Sequence, residues 1–311
     1  MTTLICGSMA YDTIMVFPGE FKEHILPEQV HILNVAFLVP EMRREYGGTA
    51  GNIAYNLNML GDAPLIMATV GQDSDAYLER LERLGLNTRC IKRIPSAYTA
   101  QAFITTDRTD NQITAFHPGA MSFSHENRVS DAGDVKLGVV SPDGREGMLA
   151  HCEQFAAAGI QFMFDPGQGL PMFSGPELLR MIDLADVVAV NDYEAQLLAS
   201  KTGESIEALA QRGTTIVMTR GGEGSRIYSN NQIHEIPAVK PVRVEDPTGC
   251  GDAYRAGLLF GMARGFDWPT NGRLGSLLGA HKIAHRGAQN HHFTAADIRA
   301  QFSEAFGYQP W

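Results

Sequence analysis

The sequence predicts an α/β fold: a mostly parallel central sheet with helices on both faces, plus a small additional β-sheet. Short apolar runs alternate with helical patterns, several of these runs end in glycine-rich turns, and two β-like stretches interrupt the alternation. Strands that alternate with helices are joined by right-handed crossovers, which make a sheet parallel and cover both of its faces. The 311 residues, 44% of them hydrophobic, suffice for a large core.

The alternation is read from short segments of the chain. The predicted strands are, in order, TLICGS, APLIMATVG, IQFMFDP, DVVAVN and TTIVMTRGG. The predicted helices are GNIAYNLNMLG, residues 75–84, PELLRMIDLA and YEAQLLAS. In the first helix, Ile53, Leu57 and Leu60 share one helical face, and Gly61 ends the pattern. Ligands of such folds bind beyond the carboxyl ends of the strands, so a site is expected in the turns there.

Two interrupting stretches predict a second, smaller sheet built of antiparallel segments. One follows the first strand, and the other reads as a hairpin with strands at 97–105 and 112–117 around the polar turn TDRTDN. Packed together, residues 12–45 and 97–117 would form a β lid on a main domain. The main domain would comprise residues 1–11, 46–96 and 118–311. The alternative is that both stretches are ordinary surface hairpins.

Charge and cysteine content argue against several classes of protein. Lys and Arg number 25 against 35 Asp and Glu, and a net charge of −10 disfavours nucleic acid as a partner. The four cysteines are widely spaced, without a C-x-x-C pair, and are expected to be buried thiols. The N-terminus lacks the basic residues of a secretion signal, and no apolar run approaches the ~20 residues of a membrane span. We therefore expect a cytoplasmic protein that has no membrane partner.

The stretch VEDPTGCGDAYRAG predicts an anion site at the start of a helix. The phosphate signatures GxxxxGK[ST] and GxGxxG are both absent from the sequence. An apolar helical face begins near Ala253, so residues 249–252 are predicted as the turn entering that helix. The first N–H groups of a helix have no helical partner, and glycines let an anion approach them. Asp252 beside them either accepts a proton from a hydroxyl group or only caps the helix.

Several motifs together resemble the ribokinase-like (pfkB) family of carbohydrate and nucleoside kinases. DPTGCGD is similar to the family's C-terminal signature, and YGGTAGNIAYNLNMLG is similar to its N-terminal one. GSMAYD, NDYE and TRGGEG lie where the family carries related pieces. The resemblance covers nearly the whole chain and implies the ribokinase-like fold, ATP and Mg²⁺, and phosphoryl transfer to a hydroxyl group. ITAFHPGAM and HRGAQNHH are similar to bacterial adenosine and nucleoside kinases, which implies the 5′-hydroxyl of a nucleoside, most of all adenosine.

The resemblance assigns catalytic and acceptor-binding roles residue by residue. Asp252 matches the family's catalytic base, and its anion hole for the γ-phosphate is matched by the amides of Gly249, Cys250 and Gly251. The positions that match residues holding sugar hydroxyls are Asp12, Gly47, Gly48 and Asn52. A carboxylate can accept from two vicinal hydroxyls, and an amide can both donate and accept. Without the family, Asp12 reads as a turn residue and Asn52 as the start of a helix.

The resemblance also implies an ATP side of the site. Its candidates are Asn191, Glu194, Thr219, Gly222, Gly224 and Gln289. Asn191 and Glu194 have, in addition, the spacing of a capping box, and both interpretations are kept. Glu194 is implied to act on Mg²⁺ indirectly through water, because Mg²⁺ usually retains several waters. In potassium-dependent members a K⁺ site lies near the positions of Gly287 and Gln289.

The acceptor is the least determined part of the prediction. Phe103, Phe116 and Phe37 of the inserted stretches are candidates to stack on a nucleoside base, or they pack the lid onto the main domain. A sugar kinase of the ribose or fructose type and a catalytically silent nucleoside-binding regulator are the alternatives. A nicotinamide-dependent oxidoreductase is disfavoured by the missing dinucleotide fingerprint. The edge strands of the lid also predict a homodimer, since exposed edges invite pairing.

Overall fold

Strands and helices alternate along the computed structural model, which describes residues 2–25, 34–109 and 111–311. The strands are β1 (Thr3–Cys6), β2 (Ala10–Val16), β3 (Glu41–Gly47), β4 (Leu65–Val70), β5 (Ile91–Arg93), β6 (Ala100–Thr106), β7 (Gln112–His117), β8 (Leu137–Val140), β9 (Gln161–Phe164), β10 (Val187–Asn191), β11 (Thr215–Thr219), β12 (Ser225–Ser229) and β13 (Gln232–Ile236). The helices are α1 (Thr49–Met59), α2 (Asp75–Arg83), α3 (Arg145–Ala157), α4 (Gly175–Leu184), α5 (Asp192–Thr202), α6 (Ile206–Gln211), α7 (Cys250–Met262), α8 (Trp268–Ile283) and α9 (Ala295–Phe306).

The large sheet is mostly parallel. Within the described residues its nine strands lie in the order β13-β12-β11-β10-β9-β8-β1-β4-β5. All neighbours from β11 to β5 are parallel, and only β12 and β13, at one edge, pair antiparallel. The predicted fold class is confirmed. The antiparallel edge follows from the tight turns that join β11, β12 and β13, since a parallel pairing would need a long crossover.

Alternating side chains of the central strands pack into two hydrophobic cores, one on each face of the large sheet. In β1, Leu4 and Cys6 point to one core and Ile5 points to the other, as the two-residue period of a strand requires. Helices α3 to α6 cover the Leu4 side, and α1, α2, α7, α8 and α9 cover the Ile5 side. Each fully buried side chain of this size contributes about 1.5–3 kcal/mol through removal from water. The two cores hold the carboxyl ends of the strands in fixed positions.

The two inserted stretches form a second sheet in the order β3-β2-β6-β7. Each insertion is an antiparallel pair, as predicted, but the two are joined through a parallel pairing of β2 with β6. The sheet begins at Ala10 and includes Gly47, so it extends beyond the predicted lid bounds of 12–45 at both ends. Residues 26–33 of the first insertion, and Asp110 in the predicted turn of the hairpin, lie outside the described residues. The division into a lid and a main domain stays a prediction.

Two further observations bear on the sequence predictions. Cys6, Cys90 and Cys152 are buried free thiols, and Cys250 is partly buried and also free. The prediction of thiols rather than disulfides is therefore confirmed. Across the part of the chain that the structure describes, no helix is both long and apolar enough to cross a membrane.

Candidate active site

A large cavity opens at the carboxyl ends of four neighbouring strands, β8 to β11. Its volume is about 820 Å³. Pro142 lies just after β8 and Asp165 directly after β9, while Asn191 and Thr219 are the last residues of β10 and β11; all four line the cavity. The first turn of α7 and the loop before it form another part of the wall. The cavity therefore lies where the sequence predicts a ligand site, beyond the ends of the parallel strands.

Most residues predicted on the ATP side line this cavity. They are Asn191, Glu194, Thr219, Gly222 and Gly224. At the start of α5 the predicted capping box is present: Asn191 Oδ1 accepts from the Glu194 amide at 2.7 Å, and Glu194 Oε2 accepts from the Asn191 amide at 2.8 Å. Burial raises the pKa of Glu194, and the nearby charge of Asp165 raises it further. The capping interaction uses one carboxylate oxygen, which leaves the other oxygen available to a ligand.

The helix that carries Asp252 begins earlier than the sequence predicts. Gly249 is its N-cap with φ 79°, and α7 starts at Cys250, so residues 250–252 belong to the first helical turn. A left-handed glycine turns the chain into the helix within one residue, where an ordinary side chain would be strained. A Cβ atom on Gly249 would also lie 2.8 Å from the Cβ of Ala288. Both the conformation and the space therefore require glycine at this position.

The N–H groups at the start of α7 are the candidates for binding an anion. The amide of Cys250 donates to the carbonyl of Pro247 at 3.1 Å, so it is already engaged. For the amides of Gly249 and Gly251, no partner is found among the residues that the structure describes. Of the three predicted anion-hole amides, these two are open to a ligand. Burial raises the pKa of the Cys250 thiol to about 11, which keeps it protonated and unreactive at neutral pH.

The carboxyl group of Asp252 is tuned to titrate near neutral pH. Desolvation raises the pKa of Asp252 to about 7. The hydrogen bond from Asn52 Nδ2 to Asp252 Oδ2, 2.7 Å long, acts in the opposite direction, and the charge of Asp165 again raises the pKa. A base with a pKa close to the working pH combines a sizeable ionised fraction with a strong tendency to take up a proton. This environment suits a general base better than a simple helix cap.

Asn52 is held by a chain of hydrogen bonds that runs away from the cavity. The Gln289 amide group donates to Asn52 Oδ1 at 3.0 Å and to the Tyr77 hydroxyl at 2.7 Å, and Tyr77 donates to the carbonyl of Gly47 at 2.7 Å. Gln289 is only 2% exposed and does not line the cavity, although the sequence predicts it on the ATP side. The structure places it behind Asn52 instead, because its amide group bonds to Asn52 on α1 and to Tyr77 on α2. These hydrogen bonds fix the side chain of Asn52, which donates to Asp252.

Four of the predicted acceptor-binding residues lie where the small sheet continues into α1. Asp12 lies on β2, and a Cβ on Gly47 would come within 2.6 Å of its Oδ2, so glycine leaves room for the carboxylate. Gly48 has φ 85°, and a Cβ there would meet backbone atoms at 2.6 Å. Desolvation raises the pKa of Asp12 to about 6, with a further contribution from the charge of Glu45. The charge of Asp12 in turn raises the pKa of Asp252.

The structure separates the three candidate phenylalanines. In the sheet register Asp12 pairs with Ala102, and Ala102 pairs with Phe116, so Phe116 and Asp12 lie on the same face. Phe103 is one residue further along β6 and therefore lies on the opposite face. Phe116 is 52% exposed and Phe103 40% exposed. Phe37 packs against other rings of the first insertion, with centroid distances of 4.9 and 5.0 Å, so it serves packing rather than an open slot.

Sequence reasoning missed a buried ion pair beside the cavity. Arg255 on α7 donates from Nε and Nη2 to the two carboxylate oxygens of Asp165, at 2.9 and 3.2 Å. Both residues line the cavity, and each is about 5% exposed. A single arginine within the otherwise apolar stretch AYRAGLLFG is a signal for a buried partner, since unpaired charges are rarely buried. Tyr77, in contrast, carries no signal in the sequence.

Comparisons with known proteins give a consistent result. The family model described as the pfkB family of carbohydrate kinases matches residues 9–294. The structure of Burkholderia thailandensis nucleoside kinase in complex with inosine is 54% identical in sequence, covers 99% of both chains and superposes with a TM-score of 0.90. A second structure of that protein, in complex with ADP-inosine, is 56% identical over 99% of this chain and 97% of the other, with a TM-score of 0.88. The nucleoside kinase of Methanothermobacter thermautotrophicus is 33% identical over 99% of this chain and 97% of its own length.

Proposed function

The chain belongs to the pfkB family of carbohydrate kinases and is an ATP-dependent nucleoside kinase, and we propose that Asp252 activates the 5′-hydroxyl of its acceptor. The observation that supports this role is the position of Asp252 in the first turn of α7, one residue after the open amide of Gly251. A carboxylate with a pKa of about 7 can take up the hydroxyl proton at neutral pH.

In the proposed reaction, the 5′-oxygen attacks the γ-phosphorus while Asp252 accepts its proton. A new oxygen–phosphorus bond forms, the bond between the γ-phosphorus and the bridging oxygen breaks, and ADP leaves with the electron pair. The amides of Gly249 and Gly251 donate to the oxygens of the transferring group, whose negative charge they stabilise together with the helix dipole. Asn52 holds the carboxylate in line with the acceptor.

Asp12 and Asn52 are proposed to bind the ribose. Asp12 accepts from two vicinal hydroxyls, and Gly47 and Gly48 allow the sugar to approach the backbone. Phe116 shares the face of the small sheet with Asp12 and is partly exposed, so it is the proposed stacking partner of the base. The small sheet acts as a lid whose closure excludes water from the reacting groups. The homodimer through the lid also stays a proposal; it is supported by β7, an edge strand whose residues are all exposed.

The cavity suits Mg²⁺ that arrives with ATP. Glu194 presents a carboxylate to it, and burial together with the charge of Asp165 raises the pKa of Glu194, which a bound cation would counteract. Among the described residues no group of three or more His, Cys, Asp or Glu is arranged to hold a metal ion by itself. Indirect binding through water and phosphate oxygens therefore fits best. Mg²⁺ bound in this way would neutralise part of the phosphate charge.

The residues near the predicted K⁺ site fit a bound cation poorly. Lys282 is fully buried, and its ammonium group donates to the carbonyls of Asp246 and His285 at 2.7 and 3.0 Å. These are the type of oxygen that would coordinate K⁺, and they are already bound to a positive charge. The side chain of Gln289, one of the two candidates, points to Asn52 instead.

An acceptor screen tests the proposed function. ADP formation should be measured with adenosine, inosine and other nucleosides, and with ribose and fructose, in the presence of ATP and Mg²⁺. We expect transfer to nucleosides, with adenosine as the proposed preferred acceptor, and little transfer to the free sugars because they leave the Phe116 side of the site empty. Rapid phosphorylation of a free sugar alone would favour the sugar-kinase alternative. Binding of nucleosides without ADP formation would favour the silent regulator.

A further inference from the structure

We propose that Arg255 is a second catalytic residue, whose guanidinium group contacts the phosphoryl group while it is transferred. This role rests on the proposed function and concerns a side chain to which the sequence motifs discussed above assign no role. Asp165 then acts as a positioning residue, since it touches the guanidinium group rather than the reacting atoms.

The distribution of charge around the cavity gives Arg255 a special position. Among the described residues that line the cavity it is the only lysine or arginine, whereas Asp165, Glu194 and Asp252 are all acidic. The phosphates of ATP bring further negative charge into this space. The open amides of α7 supply only partial positive charge, whereas Arg255 carries a full positive charge.

The geometry leaves one guanidinium nitrogen free for a ligand. Nε and Nη2 of Arg255 bind the two oxygens of Asp165, which fixes the plane of the group. For Nη1 no partner is found within the described part of the chain, and this atom lies 3.3 Å from the place that a Cβ on Gly251 would occupy. Side chains of a helix lean toward its N-terminus, so Nη1 lies over the turn that carries the open amides.

The surroundings keep this group charged and rigid. Burial acts to lower the pKa of Arg255, but the carboxylates of Asp165, Glu194 and Asp252 raise it by more. A fixed cation shielded from water acts strongly on the charge of a transferring phosphoryl group, and it needs no reorganisation during the reaction.

The double variant Arg255→Met with Asp165→Asn tests this role. Arg255→Met alone leaves the buried carboxylate of Asp165 unpaired and can fail to fold, whereas the double variant removes both charges together. We expect its kcat to fall about 10²–10³-fold, the loss typical of a removed electrostatic donor. The dissociation constants of ADP and of adenosine, measured by calorimetry, should change less than about threefold, because Arg255 is proposed to act on the phosphoryl group that ADP lacks.

A matched control is available just beyond the C-terminal end of the same helix. Arg264 forms a similar fork with Asp62, at 2.7 and 3.2 Å, away from the cavity. Arg264→Met with Asp62→Asn should keep kcat within about twofold of the natural protein, as expected for an exposed ion pair.

Two results would overturn the role of Arg255. One is a folded Arg255→Met/Asp165→Asn variant with kcat within about threefold of the natural protein. The other is a loss of ADP and adenosine affinity as large as the loss of kcat, which would indicate a structural role. Failure of the proposed function would be seen separately, as a natural protein that transfers phosphate to no nucleoside.

Discussion

Asp252→Asn is expected to lower kcat by about 10²–10⁴-fold while the affinities for ATP and nucleoside stay near those of the natural protein. Asparagine keeps an oxygen that can accept from Asn52 Nδ2, so the local geometry should survive. It cannot take up the hydroxyl proton at neutral pH. Steady-state kinetics together with binding isotherms for both ligands measure the two parts of this expectation. A variant with near-normal turnover would remove Asp252 from the role of general base.

If Asp252 is the general base, the activity of the natural protein should also depend on pH. Because Asp252 must be ionised to act, kcat/KM for the nucleoside should fall about tenfold per pH unit below a pKa near 7, and Asp252→Asn should lose this limb. The free energy of unfolding should change with pH in the opposite sense to kcat/KM. In the unfolded chain the pKa of Asp252 is about 3.9, so between pH 4 and 7 the folded protein retains a proton that the unfolded chain has lost. Stability therefore falls as pH rises through this window.

The Asp252→Asn variant should not lose stability as pH rises from 4 to 7, because asparagine does not ionise. The free energy of unfolding at pH 8 should rise by on the order of 2 kcal/mol, a value reduced for the partial exposure of the carboxylate, and should change little below pH 4. Urea unfolding at pH 8 and pH 4 measures the difference. An equal effect at both pH values would mean that folding does not raise the pKa of Asp252.

Asp12→Ala is expected to raise KM for the nucleoside by about 10²–10³-fold, because two hydrogen bonds between a carboxylate and the ribose are lost. The KM for ATP should stay within about threefold, since Asp12 does not line the nucleotide cavity. Glu41→Ala is the control, because Glu41 is an exposed acid at the far end of the same strand pair. It should leave both constants unchanged.

A 2′,3′-dideoxynucleoside distinguishes a contact with the ribose from a general effect on the site. The natural protein should lose about as much kcat/KM with this substrate as the Asp12→Ala variant loses with the ordinary nucleoside. The variant should lose little more with the dideoxy substrate. If the two losses multiply instead of overlapping, Asp12 does not bind the ribose hydroxyls.

Much of the fold follows from local patterns in the sequence. The parallel strands around TLICGS and DVVAVN are apolar runs between polar turns, and their burial on both faces is what the pattern indicates. The capping box at Asn191 is also a local feature. The parallel pairing of β2 with β6 depends instead on two segments more than eighty residues apart, and no local pattern carries that information.

The candidate site also contains residues that local sequence patterns predict and residues whose positions depend on contacts between distant segments. Gly249 and Asp252 can be recognised from the sequence because DPTGCGD matches a family signature, and glycine readily adopts the left-handed conformation that Gly249 has there. The motif of Gln289 adjoins the nucleotide region and so predicts the ATP side, but a buried amide takes the direction of its partners, Asn52 and Tyr77. The sequence does not distinguish Phe103 from Phe116; the strand register does, since a shift by one residue places a side chain on the opposite face.

A crystal structure with adenosine and a non-hydrolysable ATP analogue tests the central claim most directly. We expect the γ-phosphate to accept hydrogen bonds from the amides of Gly249 and Gly251, with the 5′-oxygen about 3 Å from a carboxylate oxygen of Asp252. The claim would be contradicted by a γ-phosphate bound away from the N-terminus of α7, or by a 5′-oxygen that faces another side chain.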